Sequence, residues 1–280
     1  MAVPELPEVE SARAAVERAG LRRRIADVDD ADTWECRPHA PGEIREALVG
    51  RELTGAFRRG KSMWCETSGI GRSPTPGPVL GVHLGMSGRM LVTDGAGELT
   101  EGGDWLGGRY GRRATEPERK PVWDRFTLTF ADGGTLRLFD QRRLGRVRLD
   151  PDLSHLGPDA EQVGQEELAA RVSRSRAPVK ARLLDQSVVA GVGNLLADET
   201  LWQARLSPRR PANELSTEEL RTLHQALHEA TAAAIAHGGV HTGQVIEFRG
   251  RGRHCPRCGT EMVSAPVGGR TTWWCPAEQR

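Results

Sequence analysis

The sequence predicts an α+β chain, and three observations carry that prediction. Phe126, Leu128 and Phe130 alternate with polar residues, Asp132-Gly133-Gly134 turns, and Leu136 and Leu138 alternate again, the period-2 pattern of a hairpin. Ser216-Thr217-Glu218-Glu219 has capping-box spacing and opens an apolar stripe through Leu220, Leu223 and Leu227 to about His237, where Gly238-Gly239 stops it. Cys255 and Cys258 form a Cys-x-x-Cys pair which, with Cys275, marks a small closing module from residue 246.

Taken in order, the first element is a helix. Val9, Ala12, Val16 and Ala19 share one helical face, acidic residues lie in the first turn, and Gly20 is a stop. Short strands follow at 51–57, 62–67, 79–83 and 89–92, with a basic turn Arg58-Arg59-Gly60-Lys61 and a Gly-, Pro- and Ser-rich loop at 68–78. Residues 94–121 lack periodicity and read as a flexible insertion. Short strands around one helix predict a β-sandwich or barrel-like domain ending near residue 150. After a linker at 151–158, helices are expected at 166–173 and 179–185, ahead of the capped one. The expected domains are 1–150, 151–245 and 246–280.

Composition excludes some classes. With 280 residues, 38% hydrophobic and 28% charged, the chain has room for one large or two modest cores and reads as globular. It has no run of transmembrane length and no basic-then-apolar leader, so a cytoplasmic location is expected. The net charge of +1 announces no partner, but its distribution does. Basic clusters lie at Arg142, Arg143, Arg146 and Arg148, at Arg171, Arg174, Arg176, Lys180 and Arg182, and at Arg249, Arg251, Arg253 and Arg257, as phosphate contacts require. Five cysteines, three of them clustered, suggest a metal rather than disulfides. At Val189-Ala190-Gly191-Val192-Gly193-Asn194, two glycines lead into a helix whose N-terminal amides suit an anion.

Five separated motifs resemble, in order, the formamidopyrimidine-DNA glycosylase and endonuclease VIII family. They are Pro4-Glu5-Leu6-Pro7-Glu8-Val9-Glu10, His83-Leu84-Gly85-Met86-Ser87-Gly88, Asp140-Gln141-Arg142-Arg143-Leu144-Gly145, the glycine–asparagine turn at 191–194, and the cysteine tail with Arg270. The resemblance implies an N-terminal helix on a β-sandwich, a helix–two-turn–helix domain and a zinc-finger-type hairpin. It implies a monomeric DNA repair enzyme, associated with the nucleoid, that flips and excises damaged bases from double-stranded DNA, with an abasic-site lyase step. A non-catalytic lesion or abasic-site binder is the alternative.

By the same resemblance Met86, Arg142 and Leu144 fill the gap left by the flipped nucleotide, Arg143 holds phosphate, and Asn194 binds phosphate with help from Lys180. Pro4, Glu5, Lys61 and Arg270 are the catalytic candidates. The family uses a terminal proline amine as nucleophile. Here Met1, Ala2 and Val3 precede Pro4, and a proline nitrogen inside a peptide bond is an amide. Three routes remain: processing that exposes Pro4, an Ala2 amine left by Met removal, or water activated by Glu5. Where the family hairpin has four cysteines, this one offers Cys255, Cys258, Cys275 and Glu278 to structural Zn2+, with His254 as another fourth ligand. Residues 239–248 are too few for a long loop capping the flipped base, which argues against tight 8-oxoguanine specificity and favours oxidised pyrimidines, ring-opened purines or bulkier lesions.

Overall fold

The computed structural model describes residues 4–71, 75–103 and 120–280. Two compact units emerge, Glu8–Leu153 and Ser154–Arg280, the latter together with Pro4–Pro7. Helix α1 (Leu6–Ala19) is the helix expected from the opening stretch, and Gly20 ends it with an N–H bond to the Val16 carbonyl.

The first unit holds two antiparallel sheets. One has the order β1 (Ile25–Asp29), β7 (Asp124–Phe130), β8 (Thr135–Phe139), β5 (Arg89–Thr93), β6 (Leu99–Gly103); the other has the order β2 (Leu53–Arg59), β3 (Ser62–Thr67), β4 (Leu80–His83), β9 (Arg146–Leu149). Both feed one core. Val9, Ala12 and Val16 of α1, Phe126, Leu128 and Leu136 of one sheet, and Met63, Leu80 and Val147 of the other are all buried together. The β7–β8 hairpin pairs Leu128 with Leu136, in the register that the alternation implies. A short helix α2 (Glu43–Leu48) adds Ile44 and Leu48. The aperiodic 94–121 segment differs from expectation at its start: β6 forms there and pairs Glu101 with Leu91. Most of the remainder, like part of the 68–78 loop, lies outside the described residues.

The second unit contains α3 (Gln165–Val172), α4 (Val179–Leu184), α5 (Asn194–Gln203), α6 (Thr217–His237) and the hairpin β10 (Val263–Val267) and β11 (Arg270–Trp274). Helix α6 starts on the expected capping box, Ser216 and Glu219 each bonding the other's backbone N–H, and stops on left-handed Gly238. Leu201, Leu223 and Leu227 anchor this unit's core, which also takes Leu6. Residues 239–248 fold into two 3-10 turns, Val240–Thr242 and Ile246–Phe248. Among the described residues no helix is long and apolar enough to cross a membrane.

Candidate active site and nucleic-acid surface

In the second unit the arrangement is built on the start of α5. The Glu5 carboxylate, 1% exposed, accepts N–H bonds from Gly193 (2.9 Å), Leu195 (2.8 Å) and Leu196 (3.0 Å). An anion on the first-turn amides of a helix is favoured by both the bonds and the dipole. A Cβ at position 193 would stand 2.2 Å from Glu5 Cδ, so only glycine lets the carboxylate sit there. Pro4 is buried beside it.

Asn194 and Lys180 lie next along. Lys180 is fully buried and spends its three N–H donors on Asn194 Oδ1 (2.7 Å), Asp198 Oδ1 (2.6 Å) and Thr272 Oγ1 (2.7 Å). Burial pushes its ammonium below the ordinary lysine range, against the pull of Asp198. Expected to help Asn194 hold phosphate, Lys180 is buried with all three N–H donors spent, one of them bracing Asn194. Asn194 also donates to the Thr271 carbonyl at 3.1 Å, and Thr272 Oγ1 bonds the Arg270 carbonyl at 3.1 Å. Arg270 itself is exposed at the hairpin turn. Asp198 Oδ2 accepts from Arg249 Nε (2.7 Å) and the Trp273 N–H (3.3 Å). The structure therefore brings Glu5, Lys180, Asn194 and the residues after Arg270 into one hydrogen-bonded array.

The Sγ atoms of Cys255, Cys258 and Cys275 lie within 4.8 Å of one another, with 3.5 Å between the last two. Three such sulfurs can bind a metal ion. Glu278 is outside this group: its carboxylate faces Arg205 (3.3 Å) and Arg257 (3.5 Å), whose charges hold it away from a ligand's role. His254 is likewise not among the close ligand atoms.

In the first unit two loops are packed into each other. Gly85 adopts φ +61°, and a Cβ there would meet Leu144 backbone carbon at 2.4 Å. The fully buried Asp140 organises the second loop, accepting N–H bonds from Arg142 (2.9 Å), Leu144 (2.8 Å) and Gly145 (2.8 Å) and an O–H bond from Ser87. Met86 is half-buried, Arg142 and Arg143 are exposed, and Leu144 is 37% exposed. An exposed leucine on a loop so tightly pinned is not core.

Arg143, at φ 56°, turns its Nε to Asp32, 2.9 and 3.0 Å from its two oxygens. Expected as a phosphate ligand, it is here an ion-pair partner. Burial opposes ionisation of Asp32, but Arg143 and two backbone N–H groups outweigh it and hold the acid below its usual range. Lys61 stands half-buried in the β2–β3 turn. Burial, with Lys61 and Arg148 nearby, depresses His83, which accepts the Gly85 N–H on Nδ1 at 3.0 Å as a neutral ring does. Against Gly145 of this loop lies Glu35, fully buried, its carboxyl pushed up to about 9 by burial and by the Asp140 and Asp32 carboxylates.

Sequence reasoning overlooked Asp32, Asp140 and Asp198 as organisers. Asp140 alone left a signal, standing first in a motif whose following amides it captures, as Asp does in turns. Some expected phosphate contacts are also consumed internally: Arg171 pairs with Glu167, Arg182 with Asp185 and Arg249 with Asp198.

Known proteins resemble this chain along nearly its whole length. The formamidopyrimidine-DNA glycosylase N-terminal domain matches residues 3–147, and that family's H2TH domain matches residues 156–245. The formamidopyrimidine-DNA glycosylase of Acidothermus cellulolyticus is 33% identical over 99% of this chain and 97% of its own, and that of Corynebacterium aurimucosum is 34% identical over 99% and 96%. Among solved structures, Lactococcus lactis formamidopyrimidine-DNA glycosylase bound to abasic-site DNA superposes with a TM-score of 0.78 at 27% identity, covering 99% of both chains. The same enzyme with DNA containing an oxidised pyrimidine gives 0.78 at 27%, covering 99% and 100%. The chain belongs to the formamidopyrimidine-DNA glycosylase family.

Proposed function

We propose that this protein is a DNA glycosylase of base-excision repair that turns one damaged nucleotide out of a duplex and releases its base. Its partner is double-stranded DNA carrying a damaged base or an abasic site. The observation that carries the reading is Glu5, a buried carboxylate fixed by three amides at the start of α5 beside Asn194. So held, it is placed to move protons at the reacting sugar without reorganising. Arg270, on the hairpin tied to Asn194 and Lys180, contacts phosphate and assists strand cleavage. Met86, Arg142 and Leu144 fill the vacated stack, Lys61 and Arg143 contact phosphate, and Arg143 exchanges Asp32 for DNA.

The nucleophile is an amine freed at Pro4 by processing or at Ala2 by Met removal. Its lone pair attacks sugar C1′, the C1′–N bond breaks and the base leaves with a proton; the C1′–O4′ bond then opens, O4′ taking a proton, to leave an imine at Ala2 or an iminium at Pro4, and loss of a C2′ proton expels the 3′ phosphate and cleaves the strand. In the water route Glu5 takes the proton of water attacking C1′, and the abasic site stays uncut. Short residues 239–248, closed by the Val245 N–H bond to Glu199 (2.9 Å), suit oxidised pyrimidines or ring-opened purines.

Zinc suits the cysteine cluster. Tetrahedral bonds of ~2.3 Å separate sulfurs by about 3.8 Å, and Cys258 and Cys275 already stand 3.5 Å apart. Cys255, Cys258 and Cys275 would hold it, and its contribution is structural, stiffening the hairpin that bears Arg270.

Borohydride trapping on abasic-site DNA, with mass spectrometry of the mature N-terminus, tests the chemistry. A covalent adduct mapped to residue 2 or 4 supports the amine. Base release without an adduct supports water. Tight binding with neither product leaves a lesion binder and overturns the enzyme.

A further inference from the structure

Trp34 is an exposed aromatic tied to the Arg142–Leu144 loop through Asp32, which accepts both its N–H and Arg143. The side chain is 49% exposed. The Arg37 guanidinium lies 3.8 Å from its ring centroid and that of Arg146 lies 5.7 Å away. Arg37 Nη1 is buried without an acceptor, so the face this arginine offers is its remaining N–H groups, and Arg148 Nε bonds the Arg37 carbonyl at 3.3 Å, adding a third cation.

The backbone beneath is rigid. Asp32 Oδ1 accepts the N–H of Trp34 at 3.0 Å and of Glu35 at 3.1 Å, and the Val147 N–H bonds the Glu35 carbonyl at 2.9 Å. Asp32 is also the residue that holds Arg143. One carboxylate thus fixes Trp34 and the Arg142–Leu144 loop in the same frame. Of the acids close by, Asp32 keeps Arg125 at 3.7 Å when Arg143 turns to phosphate, and burial pushes the Glu35 carboxyl up to about 9.

We propose that Trp34, with Arg37 and Arg146, is a stacking platform for a nucleobase unstacked beside the lesion, the two arginines taking its flanking phosphates. Aromatic rings next to guanidinium groups suit that ligand, because every base has a face to stack and every nucleotide a charge to meet. This rests on the reading of the chain as a lesion-binding protein and adds a contact outside the gap-filling residues.

The test measures affinity for a duplex with a tetrahydrofuran abasic analogue, using wild type, Trp34→Leu and Trp34→Phe. A second probe places 2-aminopurine beside the analogue. Losing one stacked base predicts binding about 5- to 150-fold weaker for Trp34→Leu, with most of it restored by Trp34→Phe. 2-Aminopurine emission should be quenched by wild type and by Trp34→Phe but not by Trp34→Leu. Tight wild-type binding, with Trp34→Leu within twofold and the same quenching, overturns the platform alone. Failure of wild type to bind the abasic duplex overturns the lesion-binding reading and the platform with it.

Discussion

Asp140 and Asp198 are both buried carboxylates, yet they organise their surroundings by opposite means. Asp140 gathers the amides of its own loop and the Ser87 hydroxyl, with no cation among those partners. Asp198 gathers two cations and one amide from three separate elements, Lys180 of α4, Arg249, and Trp273 of β11. The first device shapes a loop locally, so that exposed Arg142 and Leu144 are presented in one conformation. The second ties distant segments by charge, so that Asn194 and the Arg270 hairpin are held to α5. A recognition loop needs shape, whereas an array assembled from several elements needs strong cross-links.

That contrast can be broken most forcefully at Asp198. Asp198→Ala leaves the Lys180 ammonium buried without a counter-ion and should lower unfolding free energy by about 3–5 kcal/mol in denaturant titration. A loss below about 1 kcal/mol would mean that the ion pair is not a cross-link. Asp140→Ala removes an acceptor from three amides and should cost about 3 kcal/mol, since bonds to charged groups contribute about 1.5–3 kcal/mol each and do not add fully. Its sharper signature is binding. Affinity for abasic DNA should fall more than affinity for undamaged duplex; equal losses would show that the loop does not read the lesion.

Glu35 separates the two environments by pH. Its proton is held to about 9, whereas an unfolded glutamate titrates near its ordinary 4.5. Between those values the unfolded chain releases a proton that the folded one keeps, so Glu35 costs stability increasingly as pH rises through that window. Glu35→Gln should therefore melt with the wild type near pH 4 and be more stable by on the order of 2 kcal/mol at pH 8. A difference that does not change with pH would show that Glu35 is ionised in the fold.

Much of this fold was legible where local signals agree with tertiary ones. Ser216, Glu219 and Gly238 delimit α6 by capping chemistry that needs no partner, and the β7–β8 alternation gives its own register. Strand β1 was missed because a bulge between Ile25 and Asp27 spaces its two buried residues, Ile25 and Val28, three apart. Strand β6, Leu-Thr-Glu-Gly-Gly, has poor strand propensity and exists through its pairing with β5. Helix α2 begins on left-handed Gly42, and its first amides are capped from a distance by the Asp30 carboxylate, which no local signal announces.

At the site, the exposed residues proposed to meet DNA were readable from the family's motifs, as was Glu5. The contacts that hold them were not, because their partners lie far along the chain: Glu5 meets residue 193, Asp32 meets Arg143, and Lys180 meets Asp198 and Thr272. The same distance hides the burial of Lys180, which only the fold reveals.

Base release from a duplex containing one oxidised pyrimidine, compared for wild type and Glu5→Gln, decides whether the amide-held Glu5 carboxylate does the chemistry. Wild type should release the free base, and Glu5→Gln should lose at least about 100-fold in rate while still binding abasic DNA. Excision by Glu5→Gln at the wild-type rate, or no base released by wild type from any oxidised or ring-opened substrate, would contradict that role.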